Sequence, residues 1–182
     1  MPELDLSIDF GDTVLGYCFL PDLMPKVKVG DVAPNFSLPS QSGGTISLED
    51  FRGKTVVLYF YPKDFTPGCT IEARTFRDNY EIFKRYGAEI IGVSSDTVES
   101  HQTFASECNL PYQVLSDTEN KVRNLYSVPS TMGLIPGRVT YIIDGHGVVR
   151  HFFSSQFNPK KHIDEAIKVL KTISEVKHRA SA

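Results

Sequence analysis

Cys69 stands where a thiol can do chemistry. It sits in the stretch Tyr61-Pro62-Lys63-Asp64-Phe65-Thr66-Pro67-Gly68-Cys69-Thr70-Ile71-Glu72, which leaves an apolar run, makes a Pro/Gly loop and enters a helical segment. A cysteine in the first turn of a helix faces unpaired backbone N–H groups and the positive end of the helix dipole. An ordinary thiol, with a pKa near ~8.5, is only a few per cent ionised at neutral pH; helix N-termini and neighbouring cations lower that value to roughly 3.5–7.5. The thiolate is the nucleophile, so the placement points to a reactive sulfur. The competing reading is an inert cysteine used as a small apolar filler, and the loop-to-helix junction argues against it. Cys18 and Cys108 complete the set of three. Cysteines so few and so far apart suggest neither a disulfide framework nor a zinc site. The five histidines are scattered, and no glycine-rich phosphate loop or Ser/His/Asp constellation is visible. No metal and no cofactor is therefore expected.

The elements that must position Cys69 follow from periodicity. Residues 55–61 (TVVLYFY) are an unbroken run of β-formers, as in a central strand buried on both faces. The Cys69 loop leaves the carboxyl end of that strand, where α/β sheets hold their ligands. Ala73, Phe76, Tyr80, Phe83 and Tyr86 recur at spacings of three and four until Gly87, which predicts one helix behind Cys69. Residues 88–94 predict the next buried strand, and 98–108 a second helix capped by Ser95, Asp96 or Thr97. Another strand is expected at 112–115 and a short helix at 120–126. Asp144-Gly145-His146-Gly147 turns a hairpin between strands at 139–143 and 147–153. Ile163, Ala166, Ile167, Leu170 and Ile173 mark one face of a last helix. Ahead of all these, short strands are expected at 32–38, with Pro34 placing the first at an edge, and at 45–48. This order is α/β and has the layout of a thioredoxin-like fold: a central mixed β-sheet flanked by helices on both faces. Residues 1–28, interrupted by Pro21 and Pro25, read as an N-terminal extension or arm, 29–176 as the domain, and 177–182 as a frayed tail.

Pro62-x-x-x-Thr66-x-x-Cys69 resembles the peroxidatic motif of the peroxiredoxins, and YPKDFTPGCTIE resembles their bacterioferritin-comigratory-protein, or PrxQ, branch. Arg138, which opens RVTYIID, resembles the family's active-site arginine. The likeness covers about residues 27–170. It implies a thiol-dependent peroxidase of antioxidant defence and redox homeostasis. Cys69 would attack the O–O bond of hydrogen peroxide or an organic hydroperoxide and become a sulfenic acid. Thr66 would hydrogen-bond the sulfur and the peroxide, Pro62 would shield the pocket, and Arg138 would lie beside the sulfur. The Gly68 and Cys69 N–H groups would stabilise the departing oxygen, and Glu72 would orient the arginine. The resemblance also implies a thioredoxin or glutaredoxin-like reductant and a monomer.

One feature departs from the branch. Many members carry a resolving cysteine five residues after the peroxidatic one, and Arg74 stands there. Others carry it early in the following helix, at a place aligned with Ala105. Cys108 lies about one helical turn further on. It could resolve Cys69 if local unwinding brought the sulfurs together; a 1-Cys route with an external thiol and a structural Cys108 stay open. Cys18 would come near only if the arm folded over the site. A thioredoxin-type disulfide oxidoreductase needs C-x-x-C, and Thr66 occupies its first position. A non-catalytic binding module on the same fold is separated from an enzyme by the reactivity of Cys69.

The net charge of −3 is carried by residues 1–28, which hold five acids and two lysines. That balance points neither to nucleic acid nor to an anionic membrane surface. No apolar run approaches the roughly 18 residues of a membrane span. The acid-rich start fits neither a transit peptide nor a signal peptide, so a soluble, cytoplasmic protein is expected.

Overall fold

Six consecutive buried residues make β3 (Thr55–Phe60) the centre of the sheet, and their alternation sends them to opposite faces. Val56, Leu58 and Phe60 join one apolar cluster; Val57 and Tyr59 join the other, together with Tyr61 and Cys69. The computed structural model describes residues 27–131 and 135–180. Cys18 and nearly all of the expected N-terminal arm lie outside the described residues.

In chain order the elements are β1 (Ser37–Pro39), β2 (Thr45–Ser47), a 3-10 turn (Leu48–Phe51), β3, α1 (Pro67–Asp78), α2 (Tyr80–Arg85), β4 (Ala88–Ser94), α3 (Val98–Cys108), β5 (Gln113–Ser116), α4 (Lys121–Leu125), β6 (Ser130–Thr131), β7 (Ile135–Pro136), β8 (Val139–Ile143), β9 (Val149–Ser154) and α5 (Pro159–Ala180). The central sheet runs β5-β4-β3-β8-β9. β3, β4 and β5 are parallel, while β8 pairs antiparallel with β3 and with β9. This is the mixed, helix-flanked α/β sheet of the thioredoxin-like fold. Residues of α1, α2, α3 and α5 build the cluster on one face; α4 and the segment around Phe36 build the other. Within the first, Phe76 and Phe83 are fully buried, each stabilising the fold by about 1.5–3 kcal/mol through the area removed from water. Gly92 faces Tyr59 across the β3–β4 ladder, and a Cβ there would lie 2.7 Å from the tyrosine ring. Only glycine leaves room for it.

Three details differ from the sequence reading. The first strand is confined to Ser37–Pro39, with one isolated bridge from Val32 to Val148, because Pro34 has no N–H to give to a ladder. The helix expected behind Cys69 is two helices. Asn79 ends α1, and its side-chain amide donates to the Thr75 carbonyl at 2.9 Å, the local competition with backbone bonding that asparagine brings. The last helix, α5, runs on to Ala180, into the segment set apart as a tail, since no Gly or Pro follows Pro159 to stop it.

Candidate active site

The site begins where β3 ends. After Tyr61 the chain turns through Pro62–Thr66. Phe65 takes left-handed backbone (φ 59°), and its ring meets Phe104 edge-on, centroids 5.4 Å apart. A bulky side chain pays for this conformation with strain of order 1–2 kcal/mol. Thr66 is the extended N-cap of α1, Pro67 fills the first helical position, and Cys69 is the third residue of the helix. The Thr66 hydroxyl does not cap the helix; it donates to the Lys63 carbonyl at 3.1 Å. The first-turn amides of Gly68 and Cys69 are thus left without a side-chain cap. The expected bond from Thr66 to the Cys69 sulfur is not made in this structure, because the tight turn at 63–66 engages the hydroxyl.

Cys69 is 2% exposed. Its sulfur lies 3.3 Å from Arg138 Nη2, which donates to it. Arg138 Nη1 contacts Glu72 Oε2 directly, one helical turn beyond Cys69. Arg138 and Glu72 are both buried. Burial pushes the Glu72 carboxyl up to about 8, against the pull of the guanidinium. Burial alone would lower Arg138, but Glu72 and Cys69 hold it above its ordinary value. The two directions compete within one contact. The guanidinium is the fixed charge there, since arginine keeps its proton throughout the neutral range. A cation therefore stays on the sulfur at neutral pH. Gly68 leaves that approach unhindered: a Cβ there would lie 3.3 Å from Arg138 Nη2, close enough to press on the guanidinium.

Pro62 and Thr66 on one side, and Ile135 and Pro136 on the other, line an open cleft of ≈ 470 Å³. Gly68, Cys69 and Glu72 thus meet at the Arg138 guanidinium, while Pro62 and Thr66 line the cleft at the loop that leads into α1. Cys108 ends α3, is 2% exposed, and belongs to the same apolar cluster as Cys69. Both are free thiols.

Several buried polar residues around the site were not legible as functional. Asp64, in the loop itself, accepts from Tyr61 Oη (2.7 Å), Ser100 Oγ (2.8 Å) and His101 Nδ1 (2.8 Å), which ties the loop to α3. His162 of α5 lies behind Glu72, its Nδ1 accepting from Thr140 Oγ1 at 2.8 Å and its Nε2 donating to the Ser155 carbonyl at 2.9 Å. Arg123 of α4 donates to the carbonyls of Tyr61 and Gly137. The available signal was a polar residue beside apolar helix positions: His101 three before Phe104, His162 next to Ile163, Arg123 next to Val122.

A buried sulfur held under a guanidinium, at a helix start with no side-chain cap, is suited to the thiol chemistry of a peroxidase. The chain belongs to the AhpC/TSA family, whose model matches residues 29–152. It is 52% identical over 149 residues to a chloroplastic peroxiredoxin Q of Triticum aestivum, covering 81% of this chain and 69% of the relative. It is 53% identical over 150 residues to that of Arabidopsis thaliana, covering 82% and 69%. Among solved structures it resembles peroxidoxin BcpB from Mycobacterium tuberculosis (35% identity, TM-score 0.75, 81% of this chain and 98% of that one). It also resembles PrxQ from Xylella fastidiosa (26% identity, TM-score 0.76, 81% and 98%). The protein is a thiol-dependent peroxidase with an antioxidant function. The expectation of a cytoplasmic location is overturned: these plant relatives are chloroplastic. That expectation rested on the acid-rich residues 1–28, and the charge balance of one segment does not fix a compartment.

Proposed function

We propose that Cys69 is the peroxidatic residue and that Arg138 is the group that aligns and polarises the peroxide. The Cys69 thiolate attacks one peroxide oxygen. An S–O bond forms, the O–O bond breaks, and the leaving oxygen takes a proton to depart as water or an alcohol. The sulfur ends as a sulfenic acid. Arg138 and the open amides of Gly68 and Cys69 face the charge that moves onto the departing oxygen. Glu72 holds the guanidinium in place, Pro62 walls the pocket, and Thr66, freed from Lys63, would bind the incoming peroxide. Two electrons from a thioredoxin or glutaredoxin-like dithiol return the sulfur to the thiol. We place this chemistry in a plastid and in a monomer.

The observation that carries the reading is Arg138 Nη2 at 3.3 Å from Cys69 Sγ, at the start of a helix with no side-chain cap. Replacing Cys69 by Ser is expected to abolish peroxide turnover while the circular dichroism spectrum stays unchanged; a folded Cys69→Ser protein that still turned over peroxide would end the assignment. Cys108 is the candidate resolving thiol. Both cysteines are 2% exposed, so pairing them requires the Cys69 loop or the end of α3 to open. Mass spectrometry after one equivalent of peroxide reads the route directly: a Cys69–Cys108 disulfide, or a lone sulfenic acid at Cys69.

A further inference from the structure

The ladder between β3 and β8 stops next to Arg138 and one residue before the Pro62–Cys69 loop. Its last pair is Phe60 with Val139. Beyond that pair, one chain continues through Tyr61 into the Pro62–Cys69 loop, and the other arrives through Gly137 and Arg138. The fork of Arg123 occupies the gap. Its Nη2 donates to the Tyr61 carbonyl at 2.7 Å and its Nη1 to the Gly137 carbonyl at 3.0 Å. The residues it grips are those immediately before Pro62 and Arg138.

Arg123 is itself held on several sides. Its backbone N–H donates to Asp117 Oδ2 at 2.8 Å, and that of Val122 to Asp117 Oδ1 at 3.2 Å. The guanidinium lies 5.8 Å from the Phe60 ring centroid, and the side chain is buried. Both hydrogen-bond partners of the fork among the described residues are neutral carbonyls, and Asp117 bonds the backbone of Arg123 rather than its guanidinium. Burial lowers Arg123 to about 10, with Asp117, Cys69 and Tyr61 pulling the other way. It stays a cation at neutral pH, and its charge interacts with Cys69.

Gly137 fits the same design. A Cβ there would come within 1.8 Å of the Pro129 carbonyl oxygen. The strand that delivers Arg138 is thus pressed against Pro129 on one side and tied to Arg123 through its carbonyl.

We propose that Arg123 is a positioning residue of the peroxidase reaction, one guanidinium that sets the separation between the Cys69 loop and Arg138. A planar fork can bridge two carbonyls, whereas a lysine ammonium is a point charge that cannot hold both at fixed spacing. A shift of about 1 Å between reacting groups can cost on the order of a hundredfold in rate, so this spacing matters more than the charge.

The inference rests on Cys69 and Arg138 being the reacting pair, and the experiment separates the two. Arg123→Lys, Arg138→Lys and the double variant are compared with the wild type in two reactions. One is peroxide reduction, read as kcat/KM. The other is alkylation of Cys69 by iodoacetamide, which needs the thiolate but no aligned peroxide. Arg123→Lys is expected to lower kcat/KM by about tenfold to a hundredfold and to leave alkylation nearly unchanged. The double variant is expected to be little worse than Arg138→Lys, because one residue acts through the other. Arg123→Gln, which keeps a donor arm but removes the charge, replaces Arg123→Lys if that variant does not fold, and is read by kcat/KM alone and in its double variant with Arg138→Lys, where losses that multiply overturn the proposal. Full peroxidase activity in Arg123→Lys overturns the proposal, as do equal losses in both reactions or losses that multiply in the double variant. If Cys69→Ser stays active, the underlying assignment fails instead.

Discussion

Arg138 Nη2 touches two things at nearly the same distance: the Cys69 sulfur at 3.3 Å, and the place a side chain on Gly68 would occupy, also at 3.3 Å. Gly68→Ala therefore pulls activity and stability in opposite directions. Gly68 lies in the first turn of α1 without a positive φ, so alanine restricts the unfolded chain and is expected to stabilise by about 0.4–1 kcal/mol. The added methyl also presses the guanidinium off the sulfur by a few tenths of an ångström, and kcat/KM for peroxide is expected to fall by about threefold to tenfold. Urea unfolding and steady-state kinetics on one preparation check both signs. Unchanged kinetics would mean that the guanidinium has room to move. At this scale the sequence was informative about which residues meet, because Thr66, Cys69 and Glu72 share one short segment. It was silent about Thr66's actual partner, since a hydroxyl's choice between a sulfur and a carbonyl depends on a turn geometry that spacing does not encode.

Elements position these residues through buried polar ties as well as through the sheet. The Asp64–His101 contact joins the catalytic loop to α3, and both side chains are almost entirely buried. The imidazole nitrogen facing Asp64 must carry the hydrogen, which leaves Nε2 without a partner among the described residues. His101→Ala removes one of three donors to a buried carboxylate and opens a cavity beside Phe104. The expected loss is roughly 3–5 kcal/mol, read by denaturant titration, with peroxide turnover falling as the loop loosens. A loss under about 1 kcal/mol, the range of an ordinary surface site, would show that Tyr61 and Ser100 hold Asp64 by themselves. Such ties explain what the sequence reading could and could not see. β3, β4 and the 144–147 hairpin declare themselves through β-branched runs and turn chemistry. The break at Asn79 does not, because the apolar spacing continues from Phe76 to Phe83 across it. Arg123 was invisible for a related reason: its partners are the carbonyls of Tyr61 and Gly137, and a backbone acceptor leaves no mark in a sequence.

Across the whole molecule, two apolar clusters clamp one sheet, and α5 closes the cluster that contains Cys69. Its docking buries His162 completely against β8 and behind the Glu72–Arg138 pair. Burial lowers that imidazole from its ordinary 6.5 to about 4; the Ser155 carbonyl pulls it up and the Arg138 charge pushes it further down. The folded state therefore holds His162 neutral where the unfolded chain would protonate it. As pH falls below 6.5 the unfolded state takes up the proton first. Stability from this group is fully present above 6.5, declines between 6.5 and about 4, and levels off below. The shift corresponds to about 3 kcal/mol in all, of which about 2 kcal/mol should disappear between pH 7 and pH 5. His162→Gln lacks a titrating group, so it is expected to be less stable than the wild type at pH 7 and to lose less stability on acidification. The difference between the two urea-unfolding curves cancels carboxylates that titrate alike in both proteins and isolates the histidine. Parallel pH profiles for the two proteins would show that α5 can release His162 to solvent without opening the core around Cys69.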